Sequence, residues 1–397
     1  MKKRLAATLT LFICLFFLLP AGEAAAAETR PDQLHAYLRQ GIESVFHLDH
    51  AGAITSFQKA VELDRESPTG YAFLALAQLF SYETGFDPKE REKSREAMIR
   101  YIGDAGAWGE KRVGKNPRDG QAYFALTLAK IVKIRLALMR KSYFTVAQES
   151  ANLWDCLEKT RAADPNNNDI YFPMGLLHYH IDQLPGVTRF LSSLLITAGD
   201  HHKGIQELEL AMQKGDLFRE LAQAELSSVY TNYERQPALA LAMTVDLRER
   251  FPRNYNFSFS LAIIFSELGR FDEAYAIARD LEKGIQGGKP PFVPQLQPRY
   301  DHLLGRILFN QREYARAGEY FQKALKDTAP YNARVRASAL LRLGMIHDSR
   351  QERKRAEEYY NRALEVDGGE GVAQVDARRY LKTPYGPLFV EKSAELY

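Results

Sequence analysis

The densest collection of metal-ligand residue types lies between His178 and Gly204, in the run HYHIDQLPGVTRFLSSLLITAGDHHKG. His178, His180, His201 and His202, with Asp182 and Asp200, flank an apolar stretch, and His and Asp are donors that zinc accepts. Helical geometry works against a shared ion. His178 and His180 are two positions apart, about 200° around a helix, and the adjacent pair His201/His202 also diverges. A metal-dependent reading needs one imidazole from each pair, such as His178 with His202, plus Asp182 or Asp200. Histidines at helix ends are more often solvated or hydrogen-bonded within the fold, so the expectation is no metal and no cofactor.

Other chemistry is as sparse. The sequence contains no phosphate-binding GxxxxGK[ST] loop, no GxGxxG after a strand, no GxSxG elbow and no HExxH helix, the arrangements that bring phosphate cradles, nucleophiles or zinc. Cys156, in ANLWDCLEKTRAADP, falls near the end of a helix with no histidine beside it. It reads as a buried structural thiol rather than a nucleophile. Runs such as SRQERKRAEE (349–358) read as an exposed turn and helix start. The expectation is a non-enzyme.

What positions these residues is a repeat. Three segments align without gaps, with Gly41, Ala53, Phe57 and Ala60 in the first, Gly305, Ala317, Phe321 and Ala324 in the second, and Gly344, Ala356, Tyr360 and Ala363 in the third. In each, glycine to alanine is 12 residues, alanine to aromatic 4, and aromatic to alanine 3. Each unit therefore reads as two amphipathic helices joined by a short turn. The small residues let the backbones approach and the aromatic fills the space beside them. One such pair cannot cover its own apolar face, so pairs must stack.

This pattern resembles the tetratricopeptide repeat (TPR) family, with a small residue at position 8, alanine at 20, an aromatic at 24 and alanine at 27. The resemblance implies an all-α, right-handed α-solenoid of about eight stacked antiparallel helix pairs. Units at 221–254 and 255–288 are offset by 34 residues, carrying Ala240 onto Ala274. Between 68 and 165 the units are degenerate, with long second helices ending near Pro117 and Pro165. Gly175 takes position 8 of another unit, with Gly204 and Ala211 at positions 20 and 27. Gly175 to Gly204 is 29 residues where regular units have 12, which marks 182–199 as an insertion. Pro185-Gly186 would end one helix and Asp200 would cap the next.

The organisation expected is a signal peptide at 1–27, a repeat array at 28–284, a Gly/Pro loop at 285–298, a C-terminal repeat pair at 299–367, and a capping helix (Gly371–Leu381) and tail at 368–397. The loop KGIQGGKPPFVPQLQP could set the last two repeats apart as a semi-independent lobe. At the start, Lys2, Lys3 and Arg4 precede the apolar run Leu5–Pro20 and the small-residue tract Ala25-Ala26-Ala27. That is the layout of a secretory signal cleaved before Glu28, with a retained anchor as the alternative. Export is expected, to the periplasm of a Gram-negative bacterium or as a secreted or envelope-associated protein. Cleavage removes Lys2, Lys3, Arg4 and Glu23 and lowers the formal charge from +3 to +1, without the basic excess that nucleic-acid binding shows. Cys156 is then the sole cysteine, so no intrachain disulfide forms.

In TPR-like arrays the concave surface is lined by first helices, at positions 2, 5, 9, 12 and 13 of each unit. The resemblance places Arg299, His302, Arg306 and Asn310 there, joined by Arg342 of the next unit. Phe172, Leu176, Tyr179, Phe259 and Ile263 occupy corresponding central positions. Such a groove would take a protein or peptide segment with apolar and acidic residues, the arginines acting as carboxylate forks. Alternatively the arginines pair with glutamates of neighbouring helices. The chaperone-tail clamp of some family members is not expected, because its first-unit positions are Leu38 and Ile42. The leading reading is an exported, non-enzymatic scaffold or adaptor in cell-envelope assembly or secretion. A second is a membrane-peripheral factor docking on lipid through Val187–Thr197, whose roughly eleven residues are too few for the roughly 20 that span a bilayer.

Overall fold

The computed structural model describes residues 29–181, 200–368 and 371–386. Residues 1–28, with the signal segment, and 182–199, with the insertion and its apolar run 187–197, lie outside the described residues. Every regular element among the described residues is helical. Among the described residues, seventeen α-helices form eight antiparallel pairs and a cap. The pairs are α1 (Arg30–Phe46) with α2 (His50–Leu63), α3 (Pro68–Thr84) with α4 (Pro88–Lys115), and α5 (Gly120–Met139) with α6 (Tyr143–Ala163). Next come α7 (Tyr171–Ile181) with α8 (His201–Lys214), α9 (Arg219–Ser228) with α10 (Pro237–Arg250), and α11 (Tyr255–Glu267) with α12 (Phe271–Gly287). Helices α13 (Gln297–Asn310) with α14 (Tyr314–Ala324) and α15 (Ala333–Ser349) with α16 (Arg353–Glu365) follow, and α17 (Val372–Lys382) closes the end.

Local sequence sets the helix starts. Thr29 and Asp32 form a reciprocal capping box on α1. Asp87 precedes Pro88 on α4, and Asp119, Asp200 and Asn254 accept backbone N–H groups at the starts of α5, α8 and α11; each satisfies a donor the helix leaves free. The turns within pairs follow one recipe. Leu48, Lys141, Gly269, Arg312 and Gln351 take positive φ, and the next residue donates back to a carbonyl five residues earlier, as Glu313 does to Leu308. That is a Schellman-type stop. Only one of those five positions is glycine, so the sequence does not advertise them.

Within pairs, the spacing in the sequence becomes contact. Ala53, Phe57, Ala60, Ala211, Ala240, Ala274, Ala317, Phe321, Ala324, Ala356, Tyr360 and Ala363 are all buried. The ring of Phe321 lies against the Gly305 backbone, where an added Cβ would meet it at 2.6 Å; Phe57 covers Gly41 and Tyr360 covers Gly344 in the same way. At the α7–α8 pair two glycines replace one ring. A Cβ on Gly204 would meet Tyr179 N at 2.7 Å, and one on Gly175 would meet the Gly204 carbonyl oxygen at 2.8 Å, so the two helices touch backbone to backbone. Across the Gly/Pro loop the core does not break: Leu296, Tyr300, Leu303 and Ile307 join the cluster of Tyr255, Phe259, Ile277 and Leu281.

The solenoid winds far enough to touch itself. Phe46 of α1 stacks on Phe251 and Phe257, with centroids 5.0 and 6.1 Å apart, and Asn254 Nδ2 donates to the Phe46 carbonyl at 2.8 Å. His35 and Arg39 bind Asp216 in the α8–α9 loop. Phe86 meets Tyr331 edge-on at 5.3 Å, and Lys141 pairs with Asp367. The first three pairs thus contact the fifth, sixth and eighth regions of the array, and much of the inner face becomes interior.

The inner face and candidate binding site

In the N-terminal half the inner face is filled by carbon. Phe218, 1% exposed, projects from the α8–α9 loop between Phe73 of α3, Phe124 of α5 and Phe172 of α7, at centroid distances of 6.1, 5.6 and 5.5 Å. Asp169 holds the loop in place. Its carboxylate accepts the backbone N–H groups of Asp216, Leu217 and Phe218 at 2.8, 3.0 and 3.0 Å. Burial pushes the Asp169 pKa up, only partly opposed by those three amides. Phe172 and Leu176 keep some exposure, but Tyr179 is fully buried and its hydroxyl donates to Glu234 at 2.6 Å. The expected apolar lining is thus largely core, with Phe259 1% exposed and Ile263 partly exposed. Leu38 and Ile42 of the first unit are buried.

The histidines do not converge. His178 Nδ1 faces Glu207 of α8 at 2.5 Å, with its ring edge-on to Trp154, while His180 Nε2 faces Glu225 of α9 at 2.8 Å. His201 and His202 lie side by side at the start of α8, centroids 4.0 Å apart. No group of three or more His, Cys, Asp or Glu among the described residues could hold a metal ion. Each central histidine instead serves one glutamate on a neighbouring helix, as hydrogen-bonded structural histidines do. Cys156 is buried and burial pushes its thiol pKa up, away from nucleophilic character.

Charge collects in the C-terminal half. Helix α13 carries Arg299, His302, Arg306 and Asn310 on one face, and α15 adds Arg342. Arg306 Nη2 donates to Glu267 Oε1 at 2.6 Å, and Arg342 Nη2 stands 3.8 Å from the same oxygen. Arg299 finds no carboxylate among the described residues: Nη1 donates to Asn256 at 2.6 Å, and its guanidinium lies 4.3 Å above Phe259 and 5.7 Å from Tyr255. Arg342 lies 5.0 Å over Phe309. Asn310 donates to Ser266 at 2.9 Å. Arg306 and Arg342 therefore both pair with Glu267 of α11, one helix pair back from α13 and two back from α15, the alternative the sequence left open. Their side chains are only 8% and 9% exposed.

The balance is uneven. Burial opposes the charge on Glu267, yet Arg306 and Arg342 hold its pKa down to about 2. Burial, then repulsion from Arg342, pushes Arg306 down to about 10 despite Glu267. Burial and the three surrounding guanidiniums push His302 well below its usual value, so the imidazole is neutral. One carboxylate is shared by more positive charge than it can neutralise. Nearby, Arg235 pairs with Asp376, which also receives Arg379 at 2.9 Å. A cleft of about 790 Å³ opens between the α1–α2 turn, the α3–α4 turn and the 290–293 loop. Tyr255 forms part of its wall, beside Arg299.

Stacked antiparallel helix pairs wound on a common axis define an α-solenoid, a class of fold that generally serves as a protein-interaction scaffold. Residues 302–371 match the tetratricopeptide repeat family model, and the glycine–aromatic packing of that region recurs at Gly41 and Phe57. Among solved structures the chain is similar to a human IFIT1 dimer with PPP-AAAA, at 14% identity and TM-score 0.42, covering 89% of this chain and 86% of that one. It is also similar to a tetratricopeptide repeat protein from Parabacteroides merdae ATCC 43184, at 15% identity and TM-score 0.32, covering 76% and 97%. The P58(IPK) TPR domain aligns at 14% identity and TM-score 0.22, over 88% and 98%. A search of curated proteins finds no match.

Proposed function

We propose that this protein is an exported, non-catalytic adaptor that holds protein or peptide segments bearing apolar and acidic residues, in cell-envelope assembly or secretion. The observation that supports it is the C-terminal inner face, where Arg306 and Arg342 share the one carboxylate of Glu267 and Arg299 lies against an aromatic wall. Guanidinium forks select carboxylates, and aromatic surface next to a partly desolvated arginine is the composition of a binding hot spot. The segment before Glu28 supports export by its charge–apolar–small-residue layout. Arg299 is the residue to change, because it is partly exposed and holds no carboxylate among the described residues. Capture from a native envelope extract on immobilised wild-type and Arg299→Glu protein tests the reading. Partners retained by wild type and lost from the variant are expected, with both proteins equally helical by circular dichroism. An identical partner set on both contradicts it.

A further inference from the structure

Three buried polar atoms in the C-terminal cluster lack a hydrogen-bond partner among the described residues: Nε of Arg306, Nε of Arg342 and Nε2 of His302. All three belong to side chains more than nine-tenths buried. They sit on α13 and α15, grouped around the guanidiniums that outnumber Glu267. An unpaired buried donor is costly, more so when charged, and unmatched buried charge costs more again. The two arginine Nε atoms are obligate donors and His302 Nε2 is a third when it carries the ring proton, and together they describe a site with a missing acceptor.

We propose that Arg299, Arg306, Arg342 and His302 form an oxyanion pocket that takes one carboxylate or phosphate group, with Glu267 as a built-in counter-charge that limits its strength. Several features fit an oxyanion rather than a halide. Guanidinium forks match two-oxygen groups, and a neutral imidazole in the Nε2–H tautomer adds a donor without adding charge. The aromatic rings under Arg299 and Arg342 fix those guanidiniums from the side away from the ligand. The pocket names the ligand chemistry for the adaptor reading above, on which its identification with a partner's acidic group rests; the pocket itself would also fill with a free anion.

Glu267 makes the proposal testable in both directions. Arg299→Gln removes one charged contact and should weaken anion binding about tenfold. Glu267→Gln removes the competing carboxylate and should tighten it by a similar factor. The measurement is thermal unfolding and calorimetric titration of the mature protein with inorganic phosphate and with succinate, against chloride at equal ionic strength. A ligand that binds only the folded state raises the unfolding temperature with its concentration. The expected result is a rise with an oxyanion over chloride in wild type, larger in Glu267→Gln and smaller in Arg299→Gln. Response to succinate assigns the pocket to carboxylates, and response to phosphate alone assigns it to phosphate groups. No excess over chloride in either wild type or Glu267→Gln overturns the pocket, as does an equal response in wild type and Arg299→Gln. If Glu267→Gln fails to fold, the wild-type and Arg299→Gln comparison decides alone. Failure of the pocket leaves the partner-capture result standing separately, so the two readings fall independently.

Discussion

Around Phe218 the inner face of the solenoid is filled with rings; around Glu267 it is filled with guanidiniums. Both regions descend from first-helix positions of the same repeat. The first buries Phe73, Phe124 and Phe172 against one inserted phenylalanine, and its polar demands end at Asp169, whose three amide partners come from the inserted loop itself. The second buries charge that its own carboxylate cannot balance. Apolar inner surface completes itself once the superhelix winds closed, because any ring can pack on any other. Charged inner surface needs a partner count as well as proximity. That difference separates the half whose inner face is closed by packing from the half to which the proposal assigns binding.

The comparison can be broken most forcefully at Phe218. Phe218→Ala should cost about 3–5 kcal/mol, the range for deleting a buried phenylalanine, measured by chemical denaturation. It should leave the anion response of the C-terminal cluster unchanged. Next in size, Glu267→Gln leaves Arg306 and Arg342 without their counter-charge and should cost about 3 kcal/mol at neutral pH, in keeping with breaking a buried pair. Its pH dependence sharpens the point. The carboxyl is held near 2 in the folded protein against an ordinary 4.5, so the stability it contributes is present above about 4.5 and is lost as pH falls towards 2. Wild type and Glu267→Gln should therefore converge over that window, and a constant gap would deny Glu267 its charged role.

Gly305→Ala should cost about 1–3 kcal/mol, since its Cβ would press on the buried Phe321 ring; an effect near zero would mean the ring can yield. At the small end, Gln351 is exposed with φ of 63°. Gln351→Gly should relieve that strain and raise stability by up to about 1 kcal/mol, read as a higher denaturant midpoint. A lower midpoint would show that the side chain matters more than the backbone.

Much of this fold was legible from spacing alone. The glycine, alanine and aromatic positions are packing determinants set within a helix pair, and local periodicity reports local contact. The long second helices ending before Pro117 and Pro165, the Asp200 cap and the final helix followed from the same rules. The winding was not legible. Phe46 on Phe251, Asp216 with His35 and Arg39, and Phe86 on Tyr331 join residues far apart in sequence, and no period encodes the superhelix pitch that brings them together. For that reason Tyr179 and Phe259, assigned to a groove by their repeat position, are buried in the core. The same gap hid Phe218, which sits in a loop between pairs. The arginines on α13 were found by their helical spacing, but their shared partner Glu267 was not, because it lies on the preceding pair. A glutamate at the end of a first helix, one repeat before a basic face, is the signal that could have found it.

The central claim is that cationic excess remains in one half of the inner face and not in the other. Parallel anion titrations of wild type, Arg299→Gln and Phe218→Ala at fixed ionic strength test it most directly. The account predicts that Phe218→Ala melts at a lower temperature yet keeps the wild-type oxyanion shift, while Arg299→Gln keeps its stability and loses most of that shift. Equal shifts in all three proteins, or loss of the shift only in Phe218→Ala, would contradict it.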